Sequence, residues 1–237
     1  MNVTALRFTV RSIINRYPKL YFSLLHVVRS PRRHLHVRRD TEVVIEGYPR
    51  SANTYAVCAF LFAQQRPVRI AHHLHAPVQV IQAVRWGIPT LILIRRPLDA
   101  IASRLIRNPA LSAERAVKDY ISFYQAVQAL RHGLVLATFE AVTRDFGQVI
   151  EALNSKFGTQ FAPFVQNEEN VRLVLRMVDE MDKADQGRES ITITTVARPT
   201  PEREQLKREK KKALLATGAL LEKAEKIYED LIATADV

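Results

Sequence analysis

Apolar and polar residues follow one another along this chain in blocks that predict strands and helices in turn. Short apolar runs predict buried strands at residues 42–47, 67–71, 90–95 and 134–138. Apolar residues at helical spacing predict helices at residues 54–65, 77–86, 98–107, 112–131, 142–157, 168–183 and 201–233. Strands that alternate with helices are typical of a parallel sheet covered on both faces. We therefore expect an α/β fold with a central parallel β-sheet flanked by helices.

The N-terminal segment differs from this pattern. In residues 1–28, apolar residues recur at near-helical spacing and the polar face is basic. Pro18 interrupts the pattern, which favours a helix packed on the core, or an arm, over a helix lying on a membrane surface. We expect residues 1–40 to form a basic helical N-terminal extension, and residues 41–237 to form one α/β domain with C-terminal helices. Within the latter, the polar, Thr-rich stretch 185–201 predicts a loop.

The most informative stretch is residues 43–55, where a predicted strand passes into a helix through a short polar loop. The first turn of a helix offers unpaired N–H groups and the positive end of the helix dipole, which together suit a phosphate-like anion. Arg50 adds a positive charge, and side-chain donors come from Ser51, Asn53 and Thr54. No Gly-Lys pair follows the strand, as the loop of nucleotide triphosphatases requires. An ordinary capped turn is the structural alternative.

A second strand-to-helix junction lies at residues 90–108. The continuous apolar run of residues 90–94 is typical of a buried parallel strand, and Pro97 suits the first position of a helix. Arg95 ends the strand, Asp99 lies in the first helical turn, and Ser103 lies one turn further on. A guanidinium and a hydroxyl at such a junction are suited to bind phosphate oxygens.

Together the two segments resemble the sulfotransferases that use 3′-phosphoadenosine 5′-phosphosulfate (PAPS). The loop of that family has roughly the sequence Pro-Lys-Ser-Gly-Thr-Thr-Trp, and residues 49–55 are Pro-Arg-Ser-Ala-Asn-Thr-Tyr. The family's Arg-Asn-Pro-Lys-Asp-x-x-x-Ser segment matches residues 95–103 with the same spacing. The resemblance covers roughly residues 42–160. It implies a P-loop NTPase-like sulfotransferase fold and the transfer of a sulfuryl group from PAPS, without a metal.

The resemblance also implies roles for the matched residues. Arg95 and Ser103 would hold the 3′-phosphate of PAPS. The rest of the donor would be bound by Arg50, Ser51, Ala52, Asn53, Thr54 and Tyr55. Arg198, with Arg203 as a second candidate, would close over the nucleotide, although the Arg-Lys-Gly run of many soluble members is absent. The aromatic residues do not reveal an adenine clamp, and Trp86 is more typical of a core position.

A histidine-rich segment supplies the candidate base. Residues 70–77, Ile-Ala-His-His-Leu-His-Ala-Pro, align with the family's Lys-Thr-His segment, in which the histidine is the general base. This alignment gives the role to His73, with His75 in reserve and a carboxylate such as Glu46 as the remaining alternative. Ala71 replaces the family's lysine, so Arg50 alone would stabilise the leaving group. The spacing of the histidines does not match the helical zinc pattern.

Charge and composition favour anionic binding partners but do not select one class of them. The net charge is +11, and nine Lys or Arg residues lie in the first forty positions against one carboxylate. This suits an anionic partner, such as a nucleotide, an acidic glycan or an anionic lipid. We expect no nucleic-acid site, because the later basic cluster at 207–212 is interleaved with glutamates. No apolar run is long enough to cross a bilayer, which favours a cytoplasmic enzyme.

The sequence thus predicts a PAPS-dependent sulfotransferase whose acceptor, a hydroxyl or an amine, is not specified. The acceptor could equally be anionic or amphipathic. One alternative is a nucleotide kinase or hydrolase of a related fold, for which magnesium dependence would be diagnostic. The other is a catalytically silent protein that binds anions or nucleic acid. Cys58, the single cysteine, is expected to be a small buried residue rather than a nucleophile.

Overall fold

The computed structural model describes residues 33–186 and 201–237, together with three isolated residues nearer the N-terminus. The helical pattern of residues 1–28, most of the predicted loop at 185–201 and the candidate Arg198 therefore lie outside the described residues. The side chain of Arg203 is also outside them.

Within the described residues, the sheet has four parallel strands. These are β1 (Val43–Gly47), β2 (Ile70–His72), β3 (Thr90–Ile94) and β4 (Val135–Thr138), in the order β2-β1-β3-β4. All four predicted strands are present. The second begins at Ile70 instead of residue 67, in keeping with the lack of a backbone N–H on Pro67 for a strand ladder.

The helices follow the predicted order with two interruptions. Their bounds are α1 (Asn53–Ala63), α2 (Pro77–Arg85), α3 (Pro97–Arg107), α4 (Ala113–Ala129), α5 (Phe139–Arg144), α6 (Phe146–Phe157), α7 (Glu168–Gln186), α8 (Pro201–Leu215) and α9 (Ala219–Ile232). Asp145 divides one predicted helix into α5 and α6, since its carboxylate caps α6 by accepting from the N–H of Gln148. Gly218, with φ of 48°, separates α8 from α9.

Helices cover both faces of the sheet. On one face, Val43, Ile45 and Leu91 pack with α1, α6 and α7. On the opposite face, Ile92 and Ile94 pack with α3, α4 and α9. Strand residues are thus buried on both faces, which explains why the strands appear as continuous apolar runs instead of alternating ones. The predicted α/β fold, a central parallel sheet flanked by helices, is confirmed.

Candidate functional site

A cavity of about 790 Å³ lies at the carboxyl ends of the four strands, where ligands bind in parallel sheets of this kind. It is lined by residues that follow each strand and by parts of α3, α5, α7 and α8. Nine of the candidates predicted from the sequence contribute to its wall: Arg50, Ala52, Asn53, Thr54, Tyr55, His73, His75, Arg95 and Ser103. Ser51 is fully buried beneath the loop instead.

The loop between β1 and α1 is tightly constrained. A Cβ atom on Gly47 would lie 2.5 Å from the carbonyl oxygen of Leu93, so the strand approach requires glycine. Arg50 and Ala52 have φ values of 74° and 69°, a left-handed conformation that favours glycine. Ala52 is the N-cap of α1 and provides no side-chain hydrogen bond to the first turn. The loop therefore presents backbone N–H groups at its mouth that its own cap does not satisfy.

Two of the predicted donors, Ser51 and Asn53, are buried and form contacts inside the protein. Asn53 is 4% exposed, and its Nδ2 donates to the carbonyl of Tyr48 at 3.0 Å. The hydroxyl of Ser51 lies 3.5 Å from that of Tyr124, which in turn donates to the carbonyl of Leu93. These side chains fix the shape of the loop, while Thr54 and Arg50 line the cavity.

Arg50, Arg95 and Ser103 form one hydrogen-bonded group, although they come from two separate motifs. Nη1 of Arg95 donates to the carbonyl oxygen of Arg50 at 3.1 Å, and Nε of Arg50 donates to Oγ of Ser103 at 3.0 Å. The guanidinium of Arg95 lies 3.9 Å from the centre of the Phe139 ring, and Tyr120 donates to the Arg95 carbonyl at 2.8 Å. Burial lowers the pKa of Arg95, yet a guanidinium stays charged. Two cations and a hydroxyl thus converge at one end of the cavity.

Helix α8 joins this region through Asp99 of α3. Lys207 and Lys211 contact Oδ1 of Asp99 at 3.0 and 2.8 Å, and the two lysines help to lower the pKa of this carboxyl against the opposing effect of its burial. From the sequence alone, the only physical reason for a carboxylate at position 99 was the helix dipole at the start of α3. Lys207 also lines the cavity, so α8 adds a cation that the sequence reasoning did not assign.

The histidine segment leaves β2 toward the same cavity. Nε2 of His73 lies 3.1 Å from Oγ1 of Thr54, and the Nδ1 atoms of His72 and His73 face each other. Nδ1 of His75 lies 2.7 Å from the carbonyl oxygen of Gly47. His73 and His75 both have positive φ, 56° and 53°. Burial lowers the pKa of His72 to about 3, which keeps this imidazole neutral.

Glu46 lies fully buried behind this segment. Its oxygens accept from the N–H groups of Leu74 and His75 at 2.7 and 3.1 Å, and from Nε2 of Gln79 at 2.8 Å. Burial raises the pKa of this carboxyl to about 7 against the effect of these donors. With its oxygens engaged inside the protein, Glu46 is suited to hold the segment and not to abstract an acceptor's proton itself.

One wall of the cavity was not anticipated. Helix α7 contributes Val171, Leu175, Val178 and Asp179, which share one face by their helical spacing. Asp182, on the same helix, forms an ion pair with Arg107 at 3.1 Å. The sequence predicted this helix, and its apolar positions at i, i+4 and i+7 were the available signal for an inward face.

Trp86 and Cys58 do not line the cavity. Trp86 follows α2 and packs under Arg39, whose guanidinium is 4.4 Å from the ring centre. Cys58 is buried, and burial raises the pKa of its thiol to about 12, as expected for a packing residue. In residues 33–186 and 201–237, no cluster of three or more His, Cys, Asp or Glu side chains has metal-binding geometry.

None of the helices in residues 33–186 and 201–237 is both long and apolar enough to cross a bilayer.

Comparison with known proteins finds remote likenesses among solved structures. No family model matches the chain, and no curated protein matches it at a significant level. The crystal structure of mouse sulfotransferase SULT7A1 complexed with PAP is similar at 13% sequence identity and a TM-score of 0.45, over 85% of this chain and 95% of that chain. Likeness at this level does not identify an activity, so functional inference depends on the residues of the cavity.

Proposed function

We propose that this protein transfers a sulfuryl group from PAPS to a hydroxyl or amine of an acceptor. The proposal is based mainly on one observation: hydrogen bonds connect Arg50, Arg95 and Ser103 at one end of the cavity. The three residues match two motifs that lie more than forty positions apart, and their proximity is what a single anionic ligand bound by both motifs requires.

The residues of the cavity fit a doubly phosphorylated nucleotide. Two guanidinium groups and a hydroxyl are the donors that bind phosphate oxygens best, and α1 adds the N–H groups of its first turn. Tyr55 offers an aromatic face, and the apolar side chains of α7 lie across the same cavity. When bound, PAPS would supply the sulfuryl group that the acceptor receives.

Arg50 and the first turn of α1 have the electrostatic role in this proposal. They would stabilise the negative charge that develops on the phosphate side as transfer proceeds, because fixed donors in a partly buried site need no reorganisation. A histidine of the segment after β2 would take the acceptor's proton, and the resemblance assigns this role to His73. Residues 41–237 would act as one domain in the cytoplasm, with residues 1–40 as an extension.

The alternatives make different demands on the same cavity. A kinase or hydrolase would bind ATP with magnesium, whereas the loop after β1 lacks the Gly-Lys pair that holds the β- and γ-phosphates. A silent anion-binding protein would bind the nucleotide without turnover. A kinase or hydrolase does not explain why Arg95 and Ser103 match the spacing of a 3′-phosphate motif. A silent protein would share that match and would differ only in its lack of turnover.

Calorimetry with 3′,5′-adenosine bisphosphate, AMP and ATP tests the proposal. We expect the bisphosphate to bind much more tightly than AMP or ATP, and Arg95→Ala to remove that preference, by roughly 1.5–3 kcal/mol for a charge-assisted hydrogen bond. Arg66→Ala is the matched control, since Arg66 is an exposed arginine paired with Glu42. Equal affinity of the unaltered protein for AMP and the bisphosphate would refute the 3′-phosphate site.

A further inference from the structure

We infer that His75, and not His73, is the histidine of this cavity that accepts a proton, and that Glu46 is its positioning residue. The inference rests on the proposed function only for the source of that proton, the acceptor. The family resemblance selects His73 as the base and keeps His75 only in reserve, and it gives Glu46 no positioning role. The geometry around β1 and the segment after β2 carries the argument.

The first step concerns the tautomer of His75. Its Nδ1 lies 2.7 Å from the carbonyl oxygen of Gly47. A carbonyl oxygen only accepts hydrogen bonds, so Nδ1 must carry the proton and the lone pair of the neutral ring must be on Nε2. His75 lines the cavity with 23% of its side chain exposed. The ring is therefore held in the tautomer that can take up a proton at Nε2.

The second step concerns the backbone that presents this ring. His75 has φ of 53°, a conformation in which a residue other than glycine is strained. Glu46 offsets this strain, because its two oxygens accept from the N–H groups of Leu74 and His75. Gln79 in turn donates to Oε1 of Glu46 and fixes the carboxylate. The carboxylate thus determines where His75 lies.

The third step concerns charge. Oε2 of Glu46 lies 3.6 Å from Nδ1 of His75 and is fully buried. When Nε2 takes the proton of an acceptor hydroxyl, the ring becomes an imidazolium and the acceptor oxygen uses the freed electron pair for its bond to sulfur. The bond between that sulfur and the phosphate oxygen of the donor would break, and its electron pair would leave with the bisphosphate. Above its pKa of about 7 the carboxyl group of Glu46 is ionised, and it then stabilises this positive charge at short range. A base oriented by a carbonyl and supported by a carboxylate is the arrangement that general-base catalysis requires.

His73 has a different environment. Its Nε2 lies 3.1 Å from the hydroxyl of Thr54, and its Nδ1 faces Nδ1 of His72. Both ring nitrogens are thus engaged with neighbouring side chains that can either donate or accept, so these two contacts do not select one tautomer. We assign His73 to holding Thr54 at the start of α1.

The test is a measurement of histidine tautomers by nuclear magnetic resonance. In the full chain labelled with ¹⁵N-histidine, two-bond proton–nitrogen correlations distinguish a ring protonated at Nδ1 from one protonated at Nε2. We expect neutral His75 to show the Nδ1–H pattern, with the assignment made from the signal lost in His75→Gln. An Nε2–H pattern for His75 in the unaltered protein would overturn the inference.

A pair of substitutions tests the role of Glu46. In Glu46→Gln, one acceptor oxygen is replaced by an NH₂ group, so we expect His75 to lose its fixed Nδ1–H pattern. Glu42→Gln is the matched control: Glu42 lies just before the same strand, but it pairs with the exposed Arg66, and His75 should be unaffected. An unchanged His75 tautomer in Glu46→Gln would show that Glu46 does not position the ring.

Reactivity with diethyl pyrocarbonate gives a second readout, since this reagent acylates unprotonated imidazole nitrogens. Trypsin cleavage after Arg69 and Arg85 places all three histidines on one peptide, in which tandem mass spectrometry locates the modification. We expect His75 to react before His73, and faster reaction of His73 would contradict the assignment. Binding of the bisphosphate is measured separately on the same samples. Its absence would refute the proposed function, while the tautomer and reactivity results would still decide for or against His75.

Discussion

Two junctions of the sheet contribute to the cavity in different ways. After β3, the side chains of Arg95 and Ser103 themselves supply the donors, and their spacing on α3 brings both to the loop after β1. After β2, the proton transfer that we propose for His75 depends on how the buried Glu46 holds the backbone N–H groups of Leu74 and His75. A site that binds charge is thus specified by residue types at fixed spacing, whereas a site that moves a proton also needs a defined tautomer.

The largest effect should come from the β2 junction. With an acceptor that the unaltered protein turns over, His75→Ala should lower the rate of PAPS-dependent transfer by roughly 10²–10⁴-fold, the scale of general-base catalysis. Binding of the bisphosphate should persist, because the residues that we propose to bind it lie on the other junctions. The release of bisphosphate from PAPS provides the measurement. A loss of this size in His73→Ala with little change in His75→Ala would support the alignment with the sulfotransferase family instead.

The second prediction concerns the dependence of stability on pH at Glu46. Its pKa in the folded protein is about 7, above the usual value of 4.5. Between pH 4.5 and 7, Glu46 is therefore protonated in the folded protein and ionised in the unfolded chain. The contribution of this protonation to the free energy of unfolding is complete below pH 4.5 and is lost as the pH rises through 7. The difference corresponds to about 3 kcal/mol in the free energy of unfolding.

Urea unfolding of the unaltered protein and of Glu46→Gln across this pH range measures that difference. The amide of the variant does not titrate, so the unaltered protein should lose stability relative to the variant as the pH rises. Glu42→Gln is the control, because the pKa of Glu42 is lowered overall: its hydrogen bond with Arg66 outweighs the opposing effect of burial. Parallel pH profiles for the unaltered protein and Glu46→Gln would mean that Glu46 is already ionised throughout.

The contrast between the junctions also explains what the sequence could and could not predict. The strand ending at Arg95 was recognisable because a buried parallel strand is continuously apolar and Pro97 marks the next helix. The support from Glu46 was not recognisable, because its partners are backbone N–H groups whose direction depends on the positive φ of His75. Residue type alone does not reveal such a conformation.

The packing between elements that are distant along the chain could not be predicted from the sequence either. The wall formed by Val171 and Leu175 depends on which face of α7 meets the cavity, and Phe139 lies under Arg95 only because β4 is adjacent to β3. Local periodicity predicts that a face is apolar, but it does not identify the element or ligand that this face contacts. The interruption at Asp145 was similarly missed, since an aspartate within a helical pattern becomes a cap only if the chain turns there.

The third prediction tests the charge-based junction through Arg50. Arg50→Ala should weaken bisphosphate binding by roughly 1.5–3 kcal/mol, because it removes a guanidinium that contacts Ser103 and lines the cavity. Arg50→Lys should lose less, because it keeps the charge but not the planar fork of donors. Calorimetry provides the affinities. If Arg50→Ala binds as tightly as the unaltered protein, the loop after β1 has only a structural role.

The smallest effect should come from Ala52, which occupies a left-handed position in the same loop. Its φ of 69° brings Cβ close to the backbone, a conformation that glycine adopts without this cost. Ala52→Gly should therefore raise the free energy of unfolding by about 0.5–1 kcal/mol, after the greater entropy of glycine in the unfolded chain is subtracted. The same change at Ala56, inside α1, should lower it by about 1 kcal/mol or more. Urea unfolding at one pH compares the two variants directly. If both variants are destabilised equally, the left-handed conformation of Ala52 carries no strain that glycine relieves.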